Sequence, residues 1–335
     1  MPKILRLADV LRFILNHPLN RGQRLRAMGR FLRWQVGGRL APGPVIIPFV
    51  EQTRIVARPG VMGATGIYYT GLYEFEEMAF VLHALRPGDR FVDVGAHIGA
   101  FSVLAAGAAG AECLAIEPVP ASFAYLQENI ALNGLSAKIR AVNAGIAGQA
   151  GRLRFTTGKG AANGVVPQTS SATHFQSALQ LTATIEVDVL PLDALTADFA
   201  PTIIKIDVEG YEHEVIAGAA QTLADERLLA ILIELRGHGA RYGFDEDTIH
   251  QRLVAAGFKP YSYSPPVYDK GKGRGDRGGS AISPPYRGEL EGGGHLLPLP
   301  GINRAAGTTL YLRRIDRVGQ RLATAPRFSV LGQEV

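Results

Sequence analysis

Phe91-Val-Asp-Val-Gly-Ala-His-Ile-Gly99 begins the most informative region of this 335-residue chain. A short apolar run ends in an acid, turns through Gly95, and leads into an Ala-rich segment with the pattern of a helix. This order is typical of the first strand–turn–helix unit of a parallel sheet, where ligands bind beyond the carboxyl ends of the strands. Backbone N–H groups at such a helix start face the ligand, and a glycine lets the ligand approach.

Downstream of this unit, apolar runs with strand character alternate with helical patterns. Alternation of this kind predicts a parallel sheet with helices on both faces. The alternation is interrupted at 144–190, where alternating runs at 152–155 and 185–190 enclose a Gly/Ser/Thr/Gln-rich loop and predict an inserted hairpin. The segments 258–263 and 309–312 predict a closing antiparallel pair, joined by a long loop at 264–305. The predicted strands are 91–94, 113–116, 139–142, 203–206 and 228–234, and the predicted helices are 71–84, 100–108, 122–132, 211–223 and 247–256.

The N-terminal forty residues differ from the rest in charge. They hold nine basic side chains and one acid, Asp9, so their net charge is +8, whereas residues 41–335 carry −3. Apolar residues at helical spacing predict two helices broken near Pro18, and the proline-rich residues 41–70 predict a linker with edge strands. A solvated cap, an anionic membrane surface and a protein partner are the alternatives for this arm; nucleic acid is disfavoured, because the body of the chain is not basic.

Other features of the composition set the expected class and compartment. Hydrophobic residues make up 47% of the chain, which excludes a wholly disordered protein. The single cysteine, Cys113, excludes an intramolecular disulfide. Arg6 and Arg12 interrupt the first apolar stretch, which does not fit a signal peptide. We therefore expect a cytoplasmic protein, with peripheral contact at the inner face of the membrane as one role for residues 1–40.

A second motif, Glu117-Pro118, ends the next predicted strand and points to a nucleoside-containing cofactor. An acid at this position accepts hydrogen bonds from both hydroxyls of a ribose. The glycine pattern of dinucleotide-binding proteins is incomplete, because His97 and Ala100 occupy two of its positions. Asp93 also suits a positively charged ligand better than a pyrophosphate. S-adenosylmethionine (SAM), which has a ribose, an ammonium and a sulfonium but no phosphate, fits the pattern better than NAD.

The third motif is Ile203-Ile-Lys-Ile-Asp-Val-Glu-Gly210. Its charges alternate with apolar residues, so strand geometry predicts Lys205, Asp207 and Glu209 on one side of a central strand. Charges among buried residues are costly unless they are paired or used. The pattern indicates either a structural ion pair of Lys205 or an active-site cluster, and the two are compatible.

These motifs, in this order, resemble the FkbM family of SAM-dependent methyltransferases over about residues 70–235. His97 stands where the family usually has Asn. The matching pieces are Asp93-Val-Gly-Ala-His-Ile-Gly-Ala-Phe-Ser102, Glu117-Pro-Val-Pro120, Glu128-Asn-Ile-Ala-Leu-Asn-Gly134, Leu192-Asp-Ala-Leu195, Lys205-Ile-Asp-Val-Glu-Gly210 and Ile231-Leu-Ile-Glu234.

The resemblance implies a class I Rossmann-like α/β methyltransferase fold, with a mostly parallel seven-stranded sheet, helices on both faces and an antiparallel last strand. It implies O-methylation of a hydroxyl on a glycan or secondary metabolite. Asp93 and Gly95 would flank the methionine end of SAM, Glu117 would hold the ribose, and Val119 and Asn143 would lie by the adenine. The full set expected to bind the cofactor is Asp93, Gly95, Ala96, Gly99, Glu117, Pro118, Val119 and Asn143.

Methyl transfer to an alcohol also needs an acceptor for the proton. The resemblance places Asp207 and Glu209 where the methyl group meets the acceptor, and His238, on the loop after Glu234, is the next candidate base. We expect no metal. The segment 261–268 and the following loop are either a lid over the acceptor or a surface loop. Their basic residues Lys270, Lys272, Arg274 and Arg277 would suit an anionic acceptor.

The predicted organisation is an arm and linker at 1–65, a methyltransferase domain at 66–320 and a C-terminal tail at 321–335. Two alternatives to catalysis by methyl transfer stay open at this point. One is a non-catalytic module that binds SAM or a partner. The other is a nicotinamide-dependent oxidoreductase, which the incomplete glycine pattern disfavours.

Overall fold

The structure, a computed structural model, describes residues 7–157, 163–167, 183–266 and 294–335. In chain order the strands are β1 Val45–Pro48, β2 Arg54–Ala57, β3 Arg90–Val94, β4 Glu112–Ile116, β5 Ile139–Val142, β6 Gly145–Ile146, β7 Gly151–Thr156, β8 Thr184–Leu190, β9 Ile203–Ile206, β10 Ala230–Glu234, β11 Lys259–Ser264, β12 His295–Pro298, β13 Thr308–Leu312, β14 Ser329–Val330 and β15 Gln333–Glu334.

The helices connect these strands and cover them. A π-helical turn, Leu104–Ala108, extends α5, and 3₁₀ turns lie at Pro18–Asn20 and His238–Tyr242. The α-helices are α1 Leu7–Asn16, α2 Arg24–Leu40, α3 Met62–Thr70, α4 Phe75–Ala84, α5 Ala100–Val103, α6 Pro120–Leu132, α7 Leu192–Thr196, α8 Glu212–Ala217, α9 Ala220–Ala224, α10 Glu246–Ala255 and α11 Ile315–Ala323.

The central sheet has the strand order β12-β11-β13-β10-β9-β3-β4-β5. The five strands from β10 to β5 are parallel, and β13 pairs antiparallel with β10. The predicted α/β fold with an antiparallel last strand is therefore confirmed. The prediction of seven strands was wrong by one: β12, inside the segment predicted as a loop, pairs antiparallel with β11 and forms the edge of the sheet. Its four residues end in Pro298, which suits an edge.

Strand alternation separates two apolar cores, one on each face of the sheet. On one face Phe91, Cys113 and Leu232 pack beneath α4, α5 and α6. On the other face Val92 and Ile204 pack against α8, α9 and α10. The first face also carries Asp93 and Lys205, which neighbour each other in the parallel pairing of β3 with β9. Asp93 and Lys205 are the only buried charged side chains that the structure describes in β3 and β9, and they lie side by side.

The predicted pair of N-terminal helices is confirmed, and a buried asparagine explains their junction. The Asn20 side-chain nitrogen donates to the carbonyl of Ile14 at 2.8 Å and to that of Tyr69 at 3.1 Å. Arg30 donates to the Asn20 side-chain oxygen at 2.6 Å. These contacts fix α1 and α2 against α3.

The helix α3 corrects the prediction that residues 41–70 form only a linker with edge strands. It contains Gly63 and Gly66, so its sequence propensity is low. Tertiary packing stabilises it, since a Cβ on Gly66 would lie 2.7 Å from the Tyr73 ring. The two predicted edge strands are present as the antiparallel pair β1–β2.

Three further details concern element boundaries. The predicted helix at 71–84 begins only at Phe75, and the helix at 211–223 divides at Gly218, where a Cβ would meet the Ala147 carbonyl oxygen at 2.4 Å. The inserted hairpin is confirmed as the antiparallel pair β7–β8, with β6 alongside. Near the C-terminus β14 and β15 pair with each other, and Val330 bridges to Val50. The division into arm, domain and tail stays a prediction.

Candidate active site

A cavity of about 240 Å³ lies at the carboxyl ends of β3, β4, β9 and β10. The chain leaves β3 towards β4 on one side, while β9 lies on the other, so the cavity sits where the direction of the strand order reverses. Open α/β sheets bind ligands at this point. All three sequence motifs reach it.

Gly95 lines the cavity, but the structure corrects our reason for a glycine there. Its φ is +82°, and a Cβ at this position would lie 1.9 Å from the backbone oxygen of Asp207. The glycine is thus required by the close approach of the loops after β3 and β9. The N–H groups of Gly95 and Ala96 both donate to the Ile116 carbonyl, at 2.9 and 3.0 Å, and are not aimed at a ligand.

Gly99, also expected to bind the cofactor, faces away from the cavity. Its φ of +80° begins α5, and a Cβ would meet the Leu126 side chain at 2.4 Å. This glycine brings α5 close to α6 and is absent from the cavity lining.

The carboxylate of Glu117 is held in place by two backbone N–H groups. One carboxylate oxygen accepts the Val119 N–H at 2.9 Å and the other accepts the His97 N–H at 2.8 Å. Burial raises its pKa to about 7, against these two hydrogen bonds. His97 has φ +50°, a left-handed conformation that Asn and His adopt more readily than most residues. That conformation gives a physical reason for the Asn usual in the family.

The remaining residues of the second motif have different roles. Pro118 and Val119 line the cavity next to Glu117. Asn143 does not line it. Its side-chain nitrogen donates to the carbonyls of Glu117 and Pro118, at 2.8 and 3.0 Å, and so holds the loop that carries the acid.

Asp93 lines the cavity and has one unsatisfied carboxyl oxygen. Its side chain is 1% exposed, and one oxygen accepts the Ser102 hydroxyl at 2.7 Å. The other oxygen is buried and has no hydrogen-bond partner among the described residues. Burial raises the pKa of this carboxyl despite the nearby Lys205. An unpaired buried acceptor of this kind is expected where a ligand supplies the donor.

Lys205 and Asp207 form the predicted ion pair, with 2.9 Å between Nζ and Oδ2, and both line the cavity. Burial opposes the charge on Lys205, but Asp207, Glu74 and Asp93 together raise its pKa above the usual range. Burial likewise opposes the charge on Asp207, and the ammonium of Lys205 nonetheless lowers its pKa. The buried ammonium of Lys205 is therefore the shared counter-charge of Asp207, Glu74 and Asp93.

Glu209 corrects the prediction that the three charges of the third motif share one strand. Strand β9 ends at Ile206, and Glu209 has φ +57°. The following Gly210 has φ +102°, and a Cβ there would lie 2.6 Å from the His238 carbonyl oxygen. This turn places Glu209 Oε2 3.3 Å from His238 Nδ1. Burial and then Asp207 raise the pKa of Glu209.

Glu209, Glu234 and His238 offer ligand atoms that all lie within 4.8 Å of one another. We expected no metal, and Glu234 was not among our predicted site residues. The three side chains could hold either a shared proton or a cation. Arg236 already pairs with Glu234, at 2.9 Å, while burial and Asp207 raise the Glu234 pKa to about 8. His238 lies beside Glu209 but outside the cavity lining.

Several residues that line the cavity were not among the site residues predicted from the sequence. Glu234 ends β10 and Arg236 follows it, so the strand-end rule that found Glu117 applies equally to them. Phe155 and Val165 come from the inserted hairpin, and Met62 comes from the unpredicted helix α3, so no sequence signal placed them here. Tyr73 and Glu74, which directly precede α4, also line the cavity.

Carboxyl groups outnumber cationic groups in the lining. Among the described residues that line it, six are carboxylates and two are cationic, Lys205 and Arg236. The carboxylates are Glu74, Asp93, Glu117, Asp207, Glu209 and Glu234. Such a site favours a cationic ligand, which stabilises the ionised form of these carboxyl groups, and disfavours a pyrophosphate, which the ionised ones would repel.

The strand order and the acidic cavity at the strand carboxyl ends define a Rossmann-like methyltransferase fold. A family model for the methyltransferase FkbM domain matches residues 93–260, which is half of the chain. The chain belongs to the FkbM methyltransferase family, as the motifs predicted, and this membership supports methyl transfer as its chemistry. No curated protein matches the chain significantly.

Solved structures with detectable similarity are distant. Methyltransferase FkbM from Methylobacillus flagellatus KT is 19% identical, with 60% of this chain and 49% of that chain covered and a TM-score of 0.37. TYW2 from P. horikoshii, solved in complex with MeSAdo, is 25% identical over 30% and 35% of the two chains, with a TM-score of 0.25. The precorrin-6y C5,15-methyltransferase from Geobacter metallireducens GS-15 is 12% identical over 72% and 90%, with a TM-score of 0.34. This chain thus spans about half the length of the methyltransferase FkbM from Methylobacillus flagellatus KT.

Proposed function

We propose that this protein is a SAM-dependent O-methyltransferase that acts on a hydroxyl of a glycan, a sugar or a secondary metabolite. The observation that carries the proposal is the set of six carboxylates on one cavity at the strand carboxyl ends. SAM bears an ammonium and a sulfonium and has no phosphate, so its charge is complementary to this lining.

The residues present fit the cofactor part by part. The unpaired buried oxygen of Asp93 would accept a hydrogen bond from the ammonium. Each oxygen of Glu117 accepts one backbone N–H, which leaves acceptor capacity for the two ribose hydroxyls. Pro118 and Val119 supply apolar surface next to that carboxylate for the adenine.

When bound, SAM would supply an electrophilic methyl group. The residues of this chain must orient the acceptor hydroxyl in line with that group and remove its proton. An alcohol holds its proton about as tightly as water, with a pKa near 15.7, so the proton leaves as the new bond forms. We assign the base to Glu209, whose raised pKa favours proton uptake, with His238 at 3.3 Å as the next proton acceptor. Asp207, kept ionised by Lys205, would orient the hydroxyl.

The cavity charge also separates the alternatives. A nicotinamide oxidoreductase would have to place a pyrophosphate beside Glu117 and Asp93, whose ionised forms would repel it. A non-catalytic module does not require the strained left-handed Glu209 to be held 3.3 Å from a histidine. The basic residues Lys270, Lys272, Arg274 and Arg277, proposed to favour an anionic acceptor, lie outside the described residues, as does most of the proposed lid.

The first experiment is calorimetric titration of the full chain with SAM, with NAD in parallel. We expect SAM to bind with a micromolar dissociation constant and NAD not to bind. Binding of NAD alone would overturn the cofactor assignment. Binding of neither would favour the non-catalytic alternative.

The catalytic assignment is tested by Glu209→Gln, once transfer of a labelled methyl group to nucleotide sugars and glycans has identified an acceptor. We expect kcat to fall by about 10²–10⁴-fold, because a general base is lost, while SAM affinity stays unchanged. The control is Glu226→Gln, which changes an exposed carboxylate paired with Arg314. Unchanged turnover in Glu209→Gln would remove Glu209 from the mechanism.

A further inference from the structure

Exposed apolar side chains are concentrated at the N-terminal end of the described chain. Of the eleven large hydrophobic residues that are exposed among the described residues, nine lie between residues 7 and 62. They are Leu7, Phe13, Leu25, Leu32, Val36, Leu40, Val45, Ile46 and Met62. Scattered exposed leucines are ordinary, but a concentration of this kind marks an interaction surface.

Four of these residues form a line along α2. Leu25, Leu32, Val36 and Leu40 are spaced by seven, four and four residues, so they share one helix face. Their exposures are 91%, 54%, 54% and 80%. Ala27 and Phe31, which are buried, lie on the opposite face against α3. The helix thus has one apolar face that packs on the protein and a second that faces outwards.

The outer face carries positive charge and no negative charge. Arg33 and Arg39 flank the apolar line on its two sides, and both are exposed. No acidic residue occurs between Asp9 and Glu51 in the sequence. The complementary surface is therefore apolar within and negative at its boundary, which describes the interface of an anionic lipid bilayer.

The helix packs on α3, and its C-terminal end lies beside the segment that leads into α3. Arg30 donates to the Tyr69 carbonyl at 3.0 Å, and the Trp34 and Tyr68 rings lie 5.0 Å apart. At the C-terminal end of α2, a Cβ on Gly38 would lie 3.8 Å from Pro59. Three residues further on, Met62 is 65% exposed and lines the cavity.

We propose that the outer face of α2, defined by Leu25, Leu32, Val36, Leu40, Arg33 and Arg39, docks on an anionic lipid surface. Docking places α2 in the plane of the interface and brings Met62, an exposed residue of the cavity lining, towards the bilayer. No helix among the described residues is long and apolar enough to cross a membrane. The proposal concerns location and stands apart from the identity of the cofactor.

The test is flotation of the full chain with vesicles of phosphatidylcholine alone and of phosphatidylcholine with phosphatidylglycerol. We expect binding to the anionic vesicles only, with weakening as salt is raised. The double variant Leu32→Glu with Val36→Glu should reduce the partition coefficient at least about tenfold. Arg33→Gln and Arg39→Gln should each reduce it by about fivefold, which corresponds to ~1 kcal/mol per basic residue.

Val254→Glu is the matched control, because Val254 is 45% exposed and lies on α10, outside residues 1–65. It should float like the unmodified chain, and thermal unfolding of every variant checks that the fold is intact. No flotation of the unmodified chain, or equal flotation of the double glutamate variant, would overturn the proposal. A dimer in sedimentation equilibrium that the double variant dissociates would instead assign this face to a second copy of the chain.

Discussion

Two regions depart from the usual distribution of polarity in opposite directions. One is the cavity floor, defined by the charged side chains of Asp93, Lys205, Asp207 and Glu74; the other is the outer face of α2. On the floor, charged groups are enclosed: Asp93 is 1% exposed and Lys205 is 8% exposed. On α2, apolar groups face outwards, with Leu25 91% exposed. Both arrangements cost free energy unless something compensates them.

The two regions differ in where the compensation comes from. Lys205 pairs with Asp207 and lies near Glu74 and Asp93, so most of the floor is satisfied within the fold. The apolar line on α2 has no covering element among the described residues. The buried charges of the cavity therefore contribute to the stability of the protein as well as to its site, whereas the outer face of α2 is proposed to contribute to association. Substitutions in the two regions should separate these properties.

Lys205→Met should have the largest effect. It leaves Asp93, Asp207 and Glu74 without their shared cation, and removing one partner of a buried pair lowers the free energy of unfolding by about 3–5 kcal/mol. Urea unfolding measures the change, with Lys138→Met, at an exposed lysine, as the control. The glutamate substitutions on α2 should change the same quantity by less than about 0.5 kcal/mol each. Equal effects in the two regions would contradict the distinction.

Gly95→Ala should have the second-largest effect. We expect it to lower the free energy of unfolding by about 3 kcal/mol and to weaken SAM binding. The new Cβ meets the Asp207 backbone oxygen, so the loops after β3 and β9 must separate. Gly88→Ala is a close control, because Gly88 has φ +89° but open space around its Cβ position. It carries the cost of the left-handed conformation, about 1–2 kcal/mol, without the steric clash. Equal losses in the two variants would show that the approach of the loops is not limiting.

A smaller effect is expected from pH. Burial raises the pKa of Glu74, Glu117 and Glu212 to about 7 and that of Glu234 to about 8. The folded chain then binds these protons more tightly than the unfolded chain, so stability falls as pH rises through this range. We expect the unfolding temperature without ligand to drop by several degrees between pH 6.5 and pH 8.

The pH effect has its own control and a defined window. Burial lowers the pKa of His17 and His83 to about 4, so their effect of opposite sign falls mostly below pH 6.5. Glu117→Gln should make the decline with pH shallower, and Glu226→Gln should leave it unchanged. A stability that rises between pH 6.5 and pH 8 would contradict the raised pKa values of these buried carboxyl groups.

The sequence alone determined the fold class, the family and most of the acidic residues at the site. It did so because these features are local: an apolar run that ends in an acid, followed by glycine, specifies a strand, a turn and the position of a carboxylate. Parallel strands bring such ends to one edge of the sheet, so Asp93, Glu117 and Asp207 could be grouped before any coordinates. The helical spacing in residues 1–40 likewise predicted α1 and α2.

The tertiary structure decided what no short segment specifies. Gly95 is required by the backbone at Asp207, which lies more than a hundred residues away in the chain. The left-handed turn at Glu209 brings its carboxylate to His238, and β12 joins the sheet only because the chain returns beside β11. Which face of α2 stays exposed depends on what α3 covers. Each of these depends on contacts between segments distant in sequence, and the local pattern of residues carries no record of such contacts.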